Sequence, residues 1–271
     1  MPTIAHISDL HLQSGVPERQ SQVEPILRKI NEMKPDLVVI SGDLTDDGWD
    51  SIEELQWAKE WLDHRIFATY WALPGNHDVG NFVTQNIGQI NQKRIECWRE
   101  VFVSDEEFEF DHWHTFGINS MQLGMEGSTA NLAFHDIISS LIDTQVNEKW
   151  IGLFMHTPLF SQSIREEDPA IDYWVGSRQP RQQLWMNIKE CKSIKLIGSG
   201  HVHQTRLTEV DGVKIVWAPP ASGTWVHAPG LPNPPMPEQT GFFLHTLHDD
   251  GRIDSELIEC APMLKLYEHN P

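Results

Sequence analysis

Asp36-Leu37-Val38-Val39-Ile40-Ser41-Gly42-Asp43 is an unbroken apolar run that stops abruptly at a small polar turn. Four successive aliphatic side chains show no alternation, the pattern of a strand covered on both faces, as in a parallel sheet. The turn puts a flexible glycine and then a short carboxylate at the strand's end, where open α/β sheets gather their ligand groups.

The same arrangement recurs on either side. Thr3–Ile7 reads as a strand, Ser21–Met33 and Ser51–His64 as helices, and Ala68–Leu73 as a third strand. A helix near Lys93–Phe102, strands near Phe108–Phe110 and Thr115–Asn119, and a helix over His135–Thr144 follow. Ile151–Met155 and Ile194–Ile197 are again short apolar runs ending at polar residues. The rhythm then changes. Gln204–Val210 and Val213–Ala218 flank Asp211-Gly212, and Phe242–Leu247 and Arg252–Glu259 flank Asp249-Asp250-Gly251, two hairpin patterns within about 204–260. Alternating βα units followed by hairpins predict an α/β fold, a four-layer αββα sandwich of two mixed sheets flanked by helices. One domain is expected over residues 1–271, with the proline-rich Ala228–Pro237 as a stiff surface loop.

The chain has 271 residues, with 39 Asp and Glu against 20 Lys and Arg, a formal net charge of −19. A field of that sign disfavours a nucleic acid duplex or an anionic membrane as partner. Bound divalent cations would reverse it locally, where an anionic substrate has to dock. Three widely spaced cysteines, Cys97, Cys191 and Cys260, make neither a disulfide framework nor a zinc knuckle. With no basic or apolar leader ahead of Thr3 and no run near the roughly 20 apolar residues of a membrane span, a cytoplasmic protein is expected.

Five polar motifs end the apolar runs in order: Asp9-Leu10-His11, Gly42-Asp43, Gly75-Asn76-His77-Asp78, Met155-His156 and Gly200-His201-Val202-His203. Carboxylate, amide and imidazole donors without thiolate suit Mn²⁺, Fe²⁺, Co²⁺ or Zn²⁺. Asp9 and His11, two apart on an extended segment, can reach one ion, and His201 and His203 share that spacing. Asp43 is the best candidate to bridge two ions. Two ions about 3.5–4 Å apart can clamp a phosphate and stabilise both the attacking and the leaving oxygen. Asp-x-His alone is weak evidence, whereas all five motifs in order, each after a strand, are strong.

This set resembles the calcineurin-like metallophosphoesterase family, whose pattern it matches from Asp9 to His203. The resemblance implies the metallophosphoesterase fold and two metal ions drawn from Mn²⁺, Fe²⁺ or Fe³⁺, Zn²⁺ and Co²⁺. Asp9, His11, Asp43 and His203 would hold the first, and Asp43, Asn76, His156 and His201 the second. His77 would protonate the leaving oxygen or stabilise charge on the phosphoryl group, and Asp78 would orient His77 from behind. A hydroxide between the metals would be the nucleophile, with no covalent enzyme intermediate. The wording His6-Ile7-Ser8-Asp9-Leu10-His11 and Ser41-Gly42-Asp43-Leu44-Thr45 is similar to bacterial class III cyclic nucleotide phosphodiesterases. Met155 and Ser199 depart from residues common among those relatives without removing a ligand. The expected function is hydrolysis of phosphodiesters, cyclic nucleotides or other small diesters. The rivals are a phosphomonoesterase acting on a phosphoprotein or small metabolite, and a non-catalytic binding scaffold. Homo-oligomerisation is left open, with the C-terminal hairpins able to supply a contact.

Other residues are read more plainly. Asp46 and Asp47 are taken as turn-formers. Phe160–Trp185, with Arg165, Tyr173, Trp174 and Arg178, is read as a surface excursion with its aromatics tucked onto the domain, with a substrate-covering loop as the alternative. Val79–Gln92 could border the same crevice. Trp49, Trp57 and Trp61 are expected in the core, and the turn between Trp217 and Trp225 could lie beside the metals. His112, His114, His135, His227, His245 and His248 fit no ligand spacing and are read as structural or surface residues.

Overall fold

A computed structural model describes residues 1–81, 87–102, 107–124, 149–159, 178–223 and 239–262. The first sheet contains β1 (Thr3–Ile7), β2 (Leu37–Ile40), β3 (Tyr70–Ala72), β10 (Gln239–Leu247) and β11 (Ile253–Pro262), in the order β11-β10-β1-β2-β3. β1, β2 and β3 run parallel, while β10 pairs antiparallel with β1 and β11 antiparallel with β10. The second sheet has the order β4-β5-β6-β7-β9-β8 and comprises β4 (Glu107–Glu109), β5 (Trp113–Ile118), β6 (Trp150–Met155), β7 (Ile194–Ser199), β8 (Arg206–Val210) and β9 (Val213–Trp217). Its four inner strands are parallel and its two edge strands antiparallel. The helices are α1 (Pro17–Met33), α2 (Ile52–Asp63), α3 (Asn76–Val79), α4 (Gln92–Val101) and α5 (Arg178–Glu190), with a 3₁₀ turn at Ser120–Gly124.

Strand alternation sorts the apolar side chains into three layers. Ile4, Leu37, Val39, Trp71, Phe154, Leu196 and Val216 meet between the sheets. Ala5, Ile7, Val38, Ile40 and Ala72 face the other way, against Val23, Ile26 and Ile30 of α1 and Leu55 and Trp61 of α2. On the far side Leu153, Met155, Ile197 and Ile215 pack against Leu184, Trp185 and Ile188 of α5. Each such side chain, withdrawn from water, contributes about 1.5–3 kcal/mol of burial, so the alternation itself selects the register. The result is the expected four-layer αββα sandwich of two mixed sheets.

Most boundaries agree with the sequence reading to within a few residues. α1 starts earlier than expected, at Pro17, because proline suits a first helical turn. Asp211 and Gly212 both adopt positive φ, 53° and 79°, and make the β8–β9 hairpin. The two C-terminal hairpins serve different sheets: β8–β9 closes an edge of the second, whereas β10–β11 returns to extend the first. One expectation is corrected. The stretch read as a surface excursion to Trp185 ends in a helix, α5, which buries Leu184 and Ile188, while Trp185 is tucked onto the domain as expected. Arg165, Tyr173, Trp174, His135–Thr144 and Ala228–Pro237 lie outside the described residues. Among the described residues, no helix is long and apolar enough to cross a membrane.

Candidate active site

The C-terminal ends of the parallel strands converge at one edge of the sandwich. There the chain leaves β-structure sharply: Asp9, His11, Asp43, His201 and His203 have φ of 55°, 43°, 49°, 70° and 51°. Non-glycine residues seldom adopt this region, and such strain collects where side chains must point at a ligand. Gly42, at φ 103°, permits the turn before Asp43, and any side chain there would overlap the His156 ring. Hydrogen bonds past the strand ends hold the turns together, Asp9 N to Gly42 O at 3.0 Å, His11 N to Asp43 O at 3.0 Å and Gly200 N to His156 O at 3.0 Å.

The structure brings all seven proposed ligands together and buries each. His156 Nε2 lies 3.2 Å from each of three atoms, Asp43 Oδ2, Asn76 Oδ1 and His201 Nδ1. Its Nδ1 faces Ser41 O at 2.8 Å, so Nδ1–H is the donor and the neutral ring presents the Nε2 lone pair to that cluster. On the other side His11 Nε2 and His203 Nε2 are 3.0 Å apart, with His203 Nε2 3.4 Å from Asp9 Oδ1 and His11 Nε2 3.8 Å from Asp43 Oδ2. Such crowding leaves each cluster either sharing a proton between neighbouring nitrogens or, with its lone pairs turned inward, needing a cation among them. Ligands at about 2.0–2.2 Å from one ion lie about 3.0–3.5 Å from each other, so the donor set fits metal ions. Asp9–His11–His203 and Asp43–His156–His201 are both compact enough to hold one.

The electrostatics agree with a cation site. Burial works to raise the Asp9 carboxyl, but His203 and His156 hold it down at about 2. Burial likewise opposes ionisation of Asp43, and His156 and His77 overcome it, keeping that carboxyl well below its usual range. Burial opposes charge on His156, yet Asp43 and Asp9 raise it to about 9, so the surrounding carboxylates call for positive charge at Nε2, which a bound metal ion would supply in place of a proton. His201 is lowered to about 3 by burial and by His156.

His77 is the more open member of the motif, with a half-buried side chain. Its N–H donates to Asp43 Oδ1 at 2.8 Å, and its Nδ1–H to Asp46 O at 2.8 Å, leaving Nε2 for a substrate. Asp78 does not orient it. The fully buried Asp78 carboxylate instead accepts from Gly75 N, Leu44 N, Thr45 N and Thr45 Oγ1 at 2.8–3.1 Å, tying α3 to the β2 turn. As the third residue of that short helix it turns back on the helix start, a capping arrangement. The contact with His77 expected of Asp78 is made instead by Asp46, which is no mere turn-former. Its Oδ1 lies 3.2 Å from His11 Nδ1 and 3.7 Å from His77 Nδ1. Arg19 of α1 holds Asp46 through paired bonds of 2.8 Å. A buried arginine on the apolar face of α1 was the available sign of such a partner. The turn after β9 also lies beside the site, with Ala221 N donating to Ser8 O and Ser222 N to Asp9 O.

Two mixed sheets between helices, with Asp, Asn and His gathered at one edge, define a metallophosphoesterase. The chain belongs to the calcineurin-like phosphoesterase family, whose sequence profile matches residues 2–205. It is a phosphoric ester hydrolase. It is 26% identical over 215 residues to the 3',5'-cyclic-nucleotide phosphodiesterase of Nostoc sp., across 74% of this chain and 71% of that protein. A probable cyclic nucleotide phosphodiesterase of Vesicomyosocius okutanii is 24% identical over 253 residues, 92% of each chain. Among solved structures, a dimetal phosphatase from Danio rerio has the same fold, with a TM-score of 0.64 at 12% identity over 96% of this chain and 99% of that one.

Proposed function

We propose that this protein hydrolyses small phosphodiesters, cyclic nucleotides first among them, using two divalent ions. The observation that carries the reading is Asp43 Oδ2, which faces His156 Nε2 at 3.2 Å and His11 Nε2 at 3.8 Å and so stands between the two ligand clusters. Asp9, His11, Asp43 and His203 would hold one ion, and Asp43, Asn76, His156 and His201 the other. When bound, such ions supply Lewis-acid stabilisation of a phosphoryl group and make water acidic enough to act near neutral pH. Mn²⁺, Fe²⁺ or Fe³⁺, Zn²⁺ and Co²⁺ all suit this donor set.

The chain's own groups supply the rest. The buried carboxylates keep the site anionic until cations arrive, and burial excludes bulk water from the ligands. His77, tethered through Nδ1 to Asp46 O, presents Nε2 where it can give a proton to the departing oxygen. The likeness to cyclic nucleotide phosphodiesterases over most of the chain favours a diester. The three free cysteines are compatible with the reducing cytoplasm in which we place the protein.

The test compares bis(p-nitrophenyl) phosphate with p-nitrophenyl phosphate on metal-stripped protein resupplied with Mn²⁺. Preference for the diester supports the phosphodiesterase reading. Preference for the monoester moves the assignment to a phosphomonoesterase, and metal-restored turnover of neither points to a binding scaffold.

A further inference from the structure

His6 lies between the sheets, fully buried, and the mechanism above does not use it. It stands where the strands carrying one ion's ligands cross. Its Nε2 pairs with Ser41 Oγ at 2.9 Å, at the end of β2 and two residues before Asp43. Ser41 O in turn accepts the His156 Nδ1–H that sets the tautomer of that ligand. The His6 ring packs edge-on against Phe154 of β6, two residues before His156, with centroids 5.1 Å apart. On β7, a Cβ at Gly198 would lie 2.8 Å from His6 Cε1, so only glycine fits three residues before His201. One imidazole thus touches all three strands that deliver Asp43, His156 and His201.

We propose that His6 is a positioning residue that sets the second ion's ligands across the seam between the sheets, acting on His156 through Ser41. The inference rests on the two-ion reading. His245 is an internal control. It is equally buried and lies 5.7 Å from His6 between ring centroids, but it stands farther from Phe154, at 6.3 Å, and its hydrogen bond goes to Ser255 Oγ rather than to Ser41.

The experiment is equilibrium dialysis of metal-stripped protein against Mn²⁺, with thermal unfolding in parallel, for wild type and His6→Phe, His6→Gln and His245→Phe. His6→Phe keeps a ring against Phe154 but loses the bond to Ser41, and His6→Gln keeps a polar group able to remake it. The wild type is expected to bind two ions. His6→Phe should weaken one of them by about 10–100-fold, as outer partners of metal ligands do, and leave the other unchanged. His6→Gln should recover most of the loss, and His245→Phe should lower Tm while binding both ions normally. Wild-type affinity for both ions in His6→Phe would overturn the inference, as would equal losses in His6→Phe and His245→Phe. Fewer than two ions in the wild type would overturn the two-ion reading itself.

Discussion

Arg19 and Asp46, 27 positions apart, meet through two parallel bonds of 2.8 Å, and the same guanidinium reaches His11 O at 3.0 Å. A helix on the outer face of the first sheet is thereby fastened to the site. Arg19 is 3% exposed, so removing its charge strands the Asp46 carboxylate beside two histidines. Asp46 keeps some access to water, so Arg19→Met should cost about 1.5–3 kcal/mol of stability, the range for hydrogen bonds to a charged group, and should slow hydrolysis. Urea unfolding and turnover of bis(p-nitrophenyl) phosphate measure both. Arg19→Lys restores charge without the planar fork and should recover stability only in part.

Metal removal should be felt in the fold. The Nε2 atoms of His11 and His203, 3.0 Å apart, and the cluster around His156 Nε2 bring candidate metal donors together from both sheets. Saturating Mn²⁺ should stabilise the native state by about 2.7 kcal/mol for each site at a hundredfold excess over Kd. Thermal unfolding with chelator and with graded Mn²⁺ checks this. A Tm indifferent to the metal would contradict the proposed centre.

His77→Ala should lower kcat by about 10²–10⁴-fold, the range for a positioned acid or base. Its imidazole is absent from both of the four-residue ligand sets proposed here, so Mn²⁺ stoichiometry should stay unchanged. Full activity in the variant would remove His77 from the chemistry.

Acid stability carries a separate signature. Burial pushes His245 well below the ordinary histidine value, so the folded protein keeps it neutral while the unfolded chain protonates below about pH 6.5. The unfolded state then binds more protons, and stability present above pH 6.5 is lost as pH falls. His245→Phe removes that proton uptake. Relative to wild type, the variant should gain about 1.4 kcal/mol between roughly pH 7.5 and 5.5. Urea midpoints at both pH values, with metal chelated, decide it, and a constant difference would sink the argument.

The layers and the residues gathered at the candidate site were legible because both leave a periodic or local mark. Leu37–Ile40 announces a strand covered on two faces, and the five motifs each end such a run. Contacts made through space left fainter traces. Asp46 looks like any loop carboxylate until α1 brings Arg19 to it, and Asp78 follows His77 in sequence while its carboxylate folds back to the helix start. α5 went unread because glutamines at 179, 182 and 183 dilute its apolar stripe to Leu184, Trp185 and Ile188. His6 was invisible as a neighbour of β6 and β7, since nothing local says which strands will cross it.

The proposed ligands are shared between two sheets: Asp9, His11, Asp43 and Asn76 follow strands of the first, and His156, His201 and His203 follow strands of the second. Neither sheet alone would own the proposed centre. Catalysis should therefore begin only when the halves of the sandwich have docked in register, which would make activity a clock for the last stage of folding. In refolding from urea with Mn²⁺ present, product formation should lag behind the recovery of far-ultraviolet circular dichroism. A chain arrested earlier would carry native-looking strands and remain chemically silent.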